Sequence, residues 1–407
     1  MERRVQCAIA GGGPAGLMLG VLLARAGVTV AVLEKHADFL RDFRGDTIHP
    51  STMTIMHELG WLEDFLKLPH NPVKELYGQF GDERVRLADF SHLPVPARYI
   101  AMMPQWDFLN FLAEKGKQYP GFHLYTRAEA IDLVFDATKV VGVTVRAPEG
   151  WRAVSADLVV CADGRGSILR ERAGFTPQDF GAPMDVMWFR LPRKETDTAE
   201  TLGRFDAGRI FIMLNRGNYW QCAFVIPKGA FADVKERGLA AFQASVGALV
   251  PFEAERAKEI SDWAQVALLT VKVDRLDTWA RAGLVCIGDA AHAMSPIGGV
   301  GVNLAVQDAV AAANLLARPL REGRLSLDDL NRVQARREFP ARVTQGLQLF
   351  LQKTVIKRAL SAEAPMTPPL PMRALLAVPY LNRIPARLIG LGVRPEHVSA
   401  EIRADRG

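Results

Sequence analysis

Three glycines near the start of the chain have the spacing that a nucleotide-binding turn requires. Gly11, Gly13 and Gly16 follow the pattern GxGxxG, with Pro14 and Ala15 between the last two. Because glycine has no Cβ, the first can form a tight turn and the second can let the backbone approach a pyrophosphate. The third can let a helix pack closely against a strand. The N–H groups at the start of that helix would then bind phosphate.

The segments around these glycines have the pattern strand, helix, strand. An apolar run over 5–10 precedes them, a helical stretch over 14–26 follows, and a second apolar run over 28–33 ends at Glu34 and Lys35. Glu34 lies about 20 residues beyond the glycines, where an acid accepts hydrogen bonds from a ribose. This context predicts a bound dinucleotide, and on this motif alone both NAD and FAD remain open.

A second loop follows the apolar run that ends at Cys161. It reads CADGRGSILR and carries Asp163 and Gly164, which we predict to contact the cofactor. Taken alone, the loop is also typical of an ordinary turn from a strand into a helix, with Ser167 as the cap.

A third loop, CIGDAAHAMSPIGGVGVN, precedes a long helix that opens near residue 301. Asp289, after Gly288, is a candidate acceptor for a ribityl hydroxyl of a flavin. The N-terminus of the helix would favour negative charge at the N1/O2 edge of a reduced flavin. The further candidates for flavin contacts in this loop are Pro296, Gly299, Gly301, Val302 and Asn303.

Composition limits the class of protein. A chain of 407 residues, 49% hydrophobic and 23% charged, is typical of a folded protein with two or three domains. A net charge of +5 gives no sign of a nucleic-acid-binding surface. The four cysteines form neither CxxC nor a zinc spacing, so we expect reduced thiols and no metal site. With no signal peptide or bilayer-spanning segment expected, the predicted location is the cytoplasm.

Together the three loops resemble those of the single-component FAD-dependent aromatic hydroxylases, the p-hydroxybenzoate hydroxylase family of group A flavoprotein monooxygenases. The GxGxxG turn with Glu34, the pair Asp163-Gly164, and Gly288-Asp289 with Pro296 occur in the order and spacing of that family over about residues 5–320. The resemblance favours FAD over NAD as the bound cofactor.

The pattern of elements and the resemblance together imply an α/β fold. We expect a Rossmann-like FAD-binding domain with an interleaved substrate domain, built on a mixed or antiparallel sheet, and a helical C-terminal region. The FAD-binding domain is predicted over 1–71, 97–174 and 275–325, the substrate domain over 72–96 and 175–274, and the helical region over 326–407. Helices are expected at about 53–68 and 230–250.

The family also implies further contacts. Arg44 matches an arginine that contacts the FAD diphosphate, and its planar guanidinium suits phosphate; Arg41 is a second candidate. Gln105 matches a glutamine near the cofactor. His49 and Pro296 are the candidate catalytic residues, since a histidine pKa suits proton relay and Pro296 is expected beside the flavin. A purely structural histidine at the start of the next helix fits His49 equally well.

The implied reaction is hydroxylation of a phenolic or N-heteroaromatic, and even polycyclic, small molecule. NADH or NADPH would bind transiently near the Asp163 loop, because the chain has no second GxGxxG, and would reduce the FAD. The reduced flavin would react with O2 to give a C4a-hydroperoxide that transfers oxygen to the ring. The predicted substrate contacts on the sheet are Phe211, Met213, Tyr219 and Trp220. Ordinary core packing is the alternative for each of them.

Other functions on the same fold remain open. A flavin-dependent halogenase would carry WxWxIP, whereas YWQCAFVIP lacks the second tryptophan. A reductase of isoprenoid or quinone-type substrates and a non-catalytic flavin-binding protein are further alternatives. The segment PMRALLAVPYLNRIPARLIGLGV, with Arg373, Arg383 and Arg387, would either touch a membrane surface or dock on the core. Both a monomer and a homodimer are consistent with the sequence.

Overall fold

The structure, a computed structural model, describes residues 3–40, 47–198, 201–364, 367–370, 373–374, 378, 380–381 and 383–405. Its strands, in chain order, are β1 (Arg3–Ala10), β2 (Val30–Leu33), β3 (Thr47–Ile48), β4 (Asn71–Val73), β5 (Glu75–Phe80), β6 (Glu83–Asp89), β7 (Ile100–Met102), β8 (Phe122–Tyr125), β9 (Glu129–Asp136), β10 (Lys139–Ala147), β11 (Gly150–Cys161), β12 (Pro177–Asp179), β13 (Met184–Pro192), β14 (Leu202–Asp206), β15 (Arg209–Asn215), β16 (Tyr219–Pro227), β17 (Ala267–Leu269), β18 (Asp274–Leu276), β19 (Ala280–Arg281) and β20 (Leu284–Cys286).

The α-helices of the same residues are α1 (Pro14–Arg25), α2 (Pro50–Glu58), α3 (Leu62–Leu66), α4 (Gln105–Gly116), α5 (Ile168–Arg172), α6 (Phe231–Glu236), α7 (Leu239–Gly247), α8 (Gly301–Arg321), α9 (Leu327–Leu351), α10 (Lys357–Leu360), α11 (Arg383–Gly390) and α12 (Ala400–Arg403). A π-helical segment, Gln352–Ile356, joins α9 to α10.

A mostly parallel sheet forms the first layer. Its strands run in the order β19-β20-β11-β1-β2-β8, and every neighbouring pair from β20 to β8 is parallel. The four residues of β2 are all buried, as expected for a central strand covered on both faces. Strands β9 and β10 pair antiparallel beside the first half of β11. This layer confirms the predicted Rossmann-like domain.

The long helix α8 belongs to the core of this layer. It packs against α1, and its buried side includes Val306, Val310 and Leu316. One described segment, 297–321, is long and apolar enough to cross a membrane, but 83% of its apolar window is buried inside the fold. Such burial is typical of a core helix.

The second sheet runs in the order β17-β13-β16-β15-β14-β5-β6. Its neighbouring strands are antiparallel except for β14 and β5. Because β5 and β6 precede α4 whereas the other strands follow α5, the chain leaves the first layer twice to build one sheet. The interleaved α/β architecture is therefore confirmed, and β14–β5 makes the sheet mixed.

Alternation along the strands gives this sheet two different faces. On the outer face, Phe189, Phe211, Trp220 and Phe224 pack with Phe242 of α7. On the inner face, the packed residues are Val186, Trp188, Ile210, Ile212, Ala223 and Val225, together with Ile297 from the third loop. The inner face continues at Leu214, which packs near Met102 and Ile389. The loop that carries Pro296 thus lies under the inner face.

Two helices differ from the expectation. The helix expected over 53–68 is divided into α2, which begins at Pro50, and α3, with a turn at Gly60. The helix expected over 230–250 is divided into α6 and α7. Gly238 separates them with φ at +88°, a left-handed conformation that ends one helix before the next begins. Apolar periodicity continued through both breaks, so the sequence pattern alone did not reveal them.

Candidate cofactor site

The turn between β1 and α1 leaves no room for side chains at two of its glycines. Gly11 has φ at +105°, and a Cβ there would lie 2.3 Å from the carbonyl oxygen of Ala162. A Cβ on Gly16 would lie 1.9 Å from the carbonyl oxygen of Gly11. Any larger residue at either position would force the backbone apart, so these glycines fix the contact of the turn, the helix and the second loop.

Gly13 differs from these two glycines because its missing side chain faces open space. A Cβ there would meet nothing within 4 Å among the described residues. Gly13 caps α1 without a side-chain hydrogen bond, and Pro14 is the first helical residue. The N–H groups of the first turn are therefore available to an anion. Ala15 lies beneath, with its Cβ 3.2 Å from the place of a Cβ on Gly288.

Glu34 lies beside this turn. Its carboxylate is buried and accepts hydrogen bonds from the N–H groups of Gly12 at 3.0 Å and His36 at 2.9 Å. This position beside the turn is where an acid would accept a hydrogen bond from a ribose. Lys35 is exposed next to it.

The second loop brings a buried carboxyl group to the same region. Asp163 Oδ1 is buried and has no hydrogen-bond partner among the described residues. Burial raises the pKa of Asp163, and hydrogen bonds from Ser167 and from the backbone at 168–169 oppose that shift. A Cβ on Gly164 would meet nothing within 4 Å of the described chain. A buried acceptor without a partner indicates a missing donor, such as a hydroxyl of a ligand.

Arg165 links the second loop to the third, and the sequence reasoning missed it. Its guanidinium donates to Asp289 Oδ2 at 3.0 Å, while Nη1 is buried without a partner among the described residues. Asp289, predicted as a ribityl acceptor, is therefore already held in place by a cation. The available signal was the position of this arginine between the two glycines of CADGRGS.

A buried arginine fastens these loops together. Arg170 donates to the carbonyl oxygens of Ala290 and Arg165 at 3.2 and 2.8 Å, and it lies 3.4 Å from Asp274 Oδ2. Its own N–H donates to Ser167 Oγ at 3.1 Å, which is the helix cap considered as the alternative for this loop. The cap and the cofactor contact are compatible, because they use different residues.

A second buried network holds Gly288. Its N–H donates to Asp308 Oδ2 at 3.0 Å, and the same oxygen lies 2.6 Å from His292 Nε2. Arg337 Nε donates to Asp308 Oδ1 at 2.9 Å. Burial acts to raise the pKa of Asp308, but His292 and Arg337 overcome it and lower the pKa. The network was also missed, although a single acid in the apolar run VNLAVQDAVAAA requires a partner.

The N-terminus of α8 opens between the third loop and the segment after residue 46. Thr47 Oγ1 donates to the Gly299 carbonyl oxygen at 2.9 Å. Asn303 Oδ1 accepts from His49 N at 2.9 Å and from Thr52 Oγ1 at 2.7 Å. Asn303 therefore fastens the loop by its side chain. The remaining predicted residues lie around it: Pro296 caps the short helix Ile297–Gly299, Val302 is buried, and Gly301 leaves open space.

His49 is fully buried. Its Nδ1 lies 2.7 Å from the carbonyl oxygen of Ile389. A carbonyl oxygen only accepts, so Nδ1 carries the proton and Nε2 presents a lone pair, which has no partner among the described residues. Burial lowers the pKa of His49 to about 4. At neutral pH the side chain is a neutral hydrogen-bond acceptor, and it makes no side-chain cap to α2.

Three of the four predicted substrate residues lie on the outer face. Phe211, Met213 and Trp220 are buried in the cluster under α7, on the side opposite to Ile297. Tyr219 has the other parity and is half-buried on the inner face, where its ring lies 4.8 Å from the guanidinium of Arg190. The sequence pattern correctly placed these aromatic residues on strands. The face to which each one points depends on the strand register, because a shift of one residue exchanges the two faces.

The other predicted residues divide into two groups. Arg41 and Arg44 lie outside the described residues. Gln105 is the first residue of α4 and is half-buried. It therefore remains a predicted contact.

The residues of the assembled site fit the polar groups of a dinucleotide such as FAD. Three loops meet at the carboxyl ends of β1, β11 and β20, where ligands of open α/β sheets bind. Glycines without neighbours at Gly13, Gly164 and Gly301 leave space for a ligand, and the unpaired groups of Asp163 and Arg165 supply an acceptor and a donor. The N–H groups at the start of α1 can bind phosphate, and the side chains of Asp163 and Arg165 can bind hydroxyl or carbonyl groups.

Comparison with known proteins gives the same assignment. The family model described as FAD binding domain matches residues 4–346. The chain is 33% identical over 334 residues to 6-methylpretetramide 4-monooxygenase of Streptomyces rimosus, covering 81% of this chain and 79% of that protein. It is 24% identical over 366 residues to 3-demethoxyubiquinol 3-hydroxylase of Escherichia coli K12, covering 85% and 88%.

A solved structure shares the fold. The crystal structure of p-nitrophenol 4-monooxygenase from Pseudomonas putida superposes with a TM-score of 0.76 at 20% identity, covering 95% of this chain and 94% of that one. The match includes both layers and most of the helical region that follows. The chain belongs to the FAD binding domain family of flavoprotein monooxygenases, and it is an FAD-dependent monooxygenase.

Proposed function

We propose that this enzyme hydroxylates an aromatic ring that carries an ionisable oxygen, and that the ring lies between the inner face and the loop of Pro296. The observation that carries the proposal is a polar pair, Arg216 and Gln221, at the end of the inner face that lies beyond its apolar strip. Arg216 Nε donates to Gln221 Oε1 at 2.9 Å, and Gln221 is only 3% exposed.

We call the space between the inner face and the loop of Pro296 the substrate chamber. Its apolar strip is lined by two packed clusters, one at each end. Ile212 packs in the same cluster as Ile297 of the third loop. Two residues further along β15, Leu214 packs with Met102 and near Ile389. A flat ring system would replace water along this strip, and each CH2-sized contact would contribute about 0.8 kcal/mol.

Arg216 supplies the polar contact. Gln221 is directly opposite Leu214 in the pairing of β15 and β16, so its amide holds the guanidinium on the inner face. A guanidinium beside a phenol or an enol favours the ionised oxygen and lowers the pKa of that group. The ionised ring is richer in electrons, which is what an oxygen-transfer reaction requires of its acceptor.

His49 is proposed to position the ring rather than to remove its proton. The carbonyl oxygen of Ile389 fixes its tautomer, so Nε2 can accept a hydrogen bond but is a weak base with a pKa of about 4. An acceptor of this kind would orient a second hydroxyl or an N–H group of the substrate. The proton of the ionised oxygen would then leave through solvent near the half-buried Arg216.

Bound FAD, reduced by NAD(P)H, supplies the chemistry that activates O2 for insertion into the ring. In this chain the first turn of α1 would bind the diphosphate, Glu34 a ribose, and Asp163 with Asp289 the hydroxyl groups between them. The N-terminus of α8 would favour negative charge on the reduced ring. NAD(P)H is proposed to approach near the Asp163 loop.

The names of the two relatives support oxygen insertion over the alternatives. Both are hydroxylases or monooxygenases, and the sequence lacks the WxWxIP pattern of a halogenase. A double-bond reductase or a non-catalytic flavin protein would leave the relation to these enzymes unexplained. We therefore place a phenolic, including polycyclic, substrate first and an N-heteroaromatic one second.

The test is NAD(P)H oxidation by the FAD-loaded enzyme with a panel of phenols, quinolones and polycyclic phenols. We expect at least one panel member to accelerate oxidation and to yield a product heavier by one oxygen. Arg216→Gln should weaken that acceleration, whereas Arg209→Gln, at the other end of β15, should not. Product that depends on added halide, or no stimulation by any ring, would overturn the proposal.

The cytoplasmic location stays a prediction, and cell fractionation would check it. The choice between monomer and homodimer is likewise open to measurement by light scattering. The choice between NADH and NADPH follows from the same oxidation assay, run with each donor in turn.

A further inference from the structure

The C-terminal part of the chain is strongly cationic. Residues 339–395 contain eight Lys or Arg residues and one acid, Glu363, so their net charge is +7 within a chain whose total is +5. The rest of the chain therefore carries a net charge of −2. Such segregation indicates a partner surface that is anionic.

Helix α9 presents apolar side chains to solvent in the same part of the chain. Phe339, Val343, Leu347 and Phe350 are 57%, 38%, 42% and 59% exposed. Their spacings of four, four and three residues place them along one face of the helix. We call these four residues the α9 stripe. These side chains point away from the core of the protein.

The opposite face of α9 fixes this orientation. Gln345 Nε2 donates to the Asp274 carbonyl oxygen at 2.8 Å, and Gln348 Nε2 donates to the Ser295 carbonyl oxygen at 2.9 Å. These buried amides attach α9 to the third loop of the cofactor site. Rotation of the helix would break both bonds, so the stripe stays on the outside of the protein.

Cations accompany the stripe. Arg342 flanks the stripe and donates to Glu338 at 3.2 Å, and the exposed residues Lys353, Lys357 and Arg358 follow at its C-terminal end. Residues 339–362 contain no acid at all. Long basic side chains beside exposed aromatic and aliphatic ones are typical of helices that lie in the interface of a bilayer.

We infer that the α9 stripe docks the enzyme on a bilayer of anionic phospholipid. Charge decides between this occupant and a second copy of the chain. A two-fold contact through the stripe would bring Lys353, Lys357 and Arg358 of both copies together without an acid between 339 and 362 to pair them. Anionic headgroups satisfy the same cations, and the apolar residues enter the upper acyl region.

The experiment is co-sedimentation of the FAD-loaded enzyme with vesicles of phosphatidylcholine alone or with 30% phosphatidylglycerol. We expect binding only to the anionic vesicles, and weaker binding at high salt. Replacing Lys353, Lys357 and Arg358 by Gln should lower the affinity about 100-fold, since each cation near the surface contributes about fivefold. The matched control replaces three exposed lysines elsewhere, Lys117, Lys139 and Lys258, by Gln.

A second variant tests the apolar part. Phe339→Ser with Phe350→Ser should lower vesicle binding, whereas Trp151→Ser, which removes another exposed aromatic residue, should leave it unchanged. Absence of binding to anionic vesicles would overturn the inference. So would a dimer in light scattering that the double variant dissociates, or a lower melting temperature of the double variant, since either result shows that protein covers the stripe.

Discussion

The outer and inner faces of the second sheet are built from neighbouring residues but pack against different parts of the protein. Phe211 and Trp220 point outward into a cluster of aromatic rings, while Ile212 and Gln221 point inward towards the third loop. The outer face packs with side chains of α7, whereas the inner face keeps half-buried groups such as Arg216 and Tyr219. We therefore propose that the sheet separates stability from substrate recognition at a spacing of one residue.

Electrostatics follow the same division. On the outer side, Asp197 accepts from Trp220 Nε1 at 3.0 Å and from both Nη atoms of Arg256 at 2.5 and 2.8 Å. The hydrogen bonds from Arg256 hold the pKa of Asp197 far below its usual range. Both Nη atoms of that cation are thus paired with carboxylates within the protein. On the inner side, Arg216 Nε donates to Gln221 Oε1, and we propose that the guanidinium also faces the substrate.

The largest effect is expected from removing the outer anchor. Trp220→Ala should lower the free energy of unfolding by about 3–5 kcal/mol, because it leaves a cavity and an ion pair without its indole donor. The measurement is denaturant unfolding of the FAD-loaded enzyme. The KM of the folded fraction for the aromatic substrate should stay the same. A large change in KM with unchanged stability would show that the two faces have been assigned in reverse.

Removing the inner cation should have the opposite signature. Arg216→Gln should lower kcat/KM for an ionisable ring about 10- to 100-fold, the range for a hydrogen bond to a charged group of about 1.5–3 kcal/mol. The melting temperature should shift little, since Arg216 is half-buried at the end of a hairpin. Steady-state kinetics with a phenol and with its methyl ether provide the control. An equal loss for both substrates would argue against recognition of the oxygen.

Acid should lower the free energy of unfolding through the buried side chain of His49. Burial lowers the pKa of His49 from 6.5 to about 4, so the folded state favours the neutral ring. This stabilisation is complete above about pH 6.5 and is lost as the pH falls towards 4, which amounts to roughly 2 kcal/mol at pH 5. Unfolding at pH 7 and pH 5 measures it. His49→Gln should remove this part of the pH dependence, and an unchanged slope would contradict the assignment.

The smallest and sharpest test uses adjacent residues. Phe211→Leu, on the outer face, should cost about 1 kcal/mol of stability and leave kcat/KM unchanged. Ile212→Val, on the inner face, should change kcat/KM by about fourfold, the value of one buried CH2 group, with little effect on stability. If both substitutions act on stability alone, the inner face is ordinary core and the chamber lies elsewhere.

The sequence by itself determined the cofactor half of this protein. Gly11 and Gly16 sit where any Cβ would collide with backbone, and Gly288-Asp289 ends a buried strand beside them. Such local steric rules are written in residue type and spacing, and parallel strands bring their carboxyl ends to one edge, so the meeting of three distant loops was predictable.

Only the tertiary structure decided the rest. The roles of Arg165 and Asp308 follow from their partners in the fold. These partners, Asp289 and His292, lie 124 and 16 residues away along the chain. The face to which each candidate substrate residue points depended on strand register, and a shift of one residue exchanges Phe211 with Ile212. Residue type is the same on either face of a strand that is buried on both sides, so hydrophobicity indicates burial there but carries no information about which neighbour a side chain contacts.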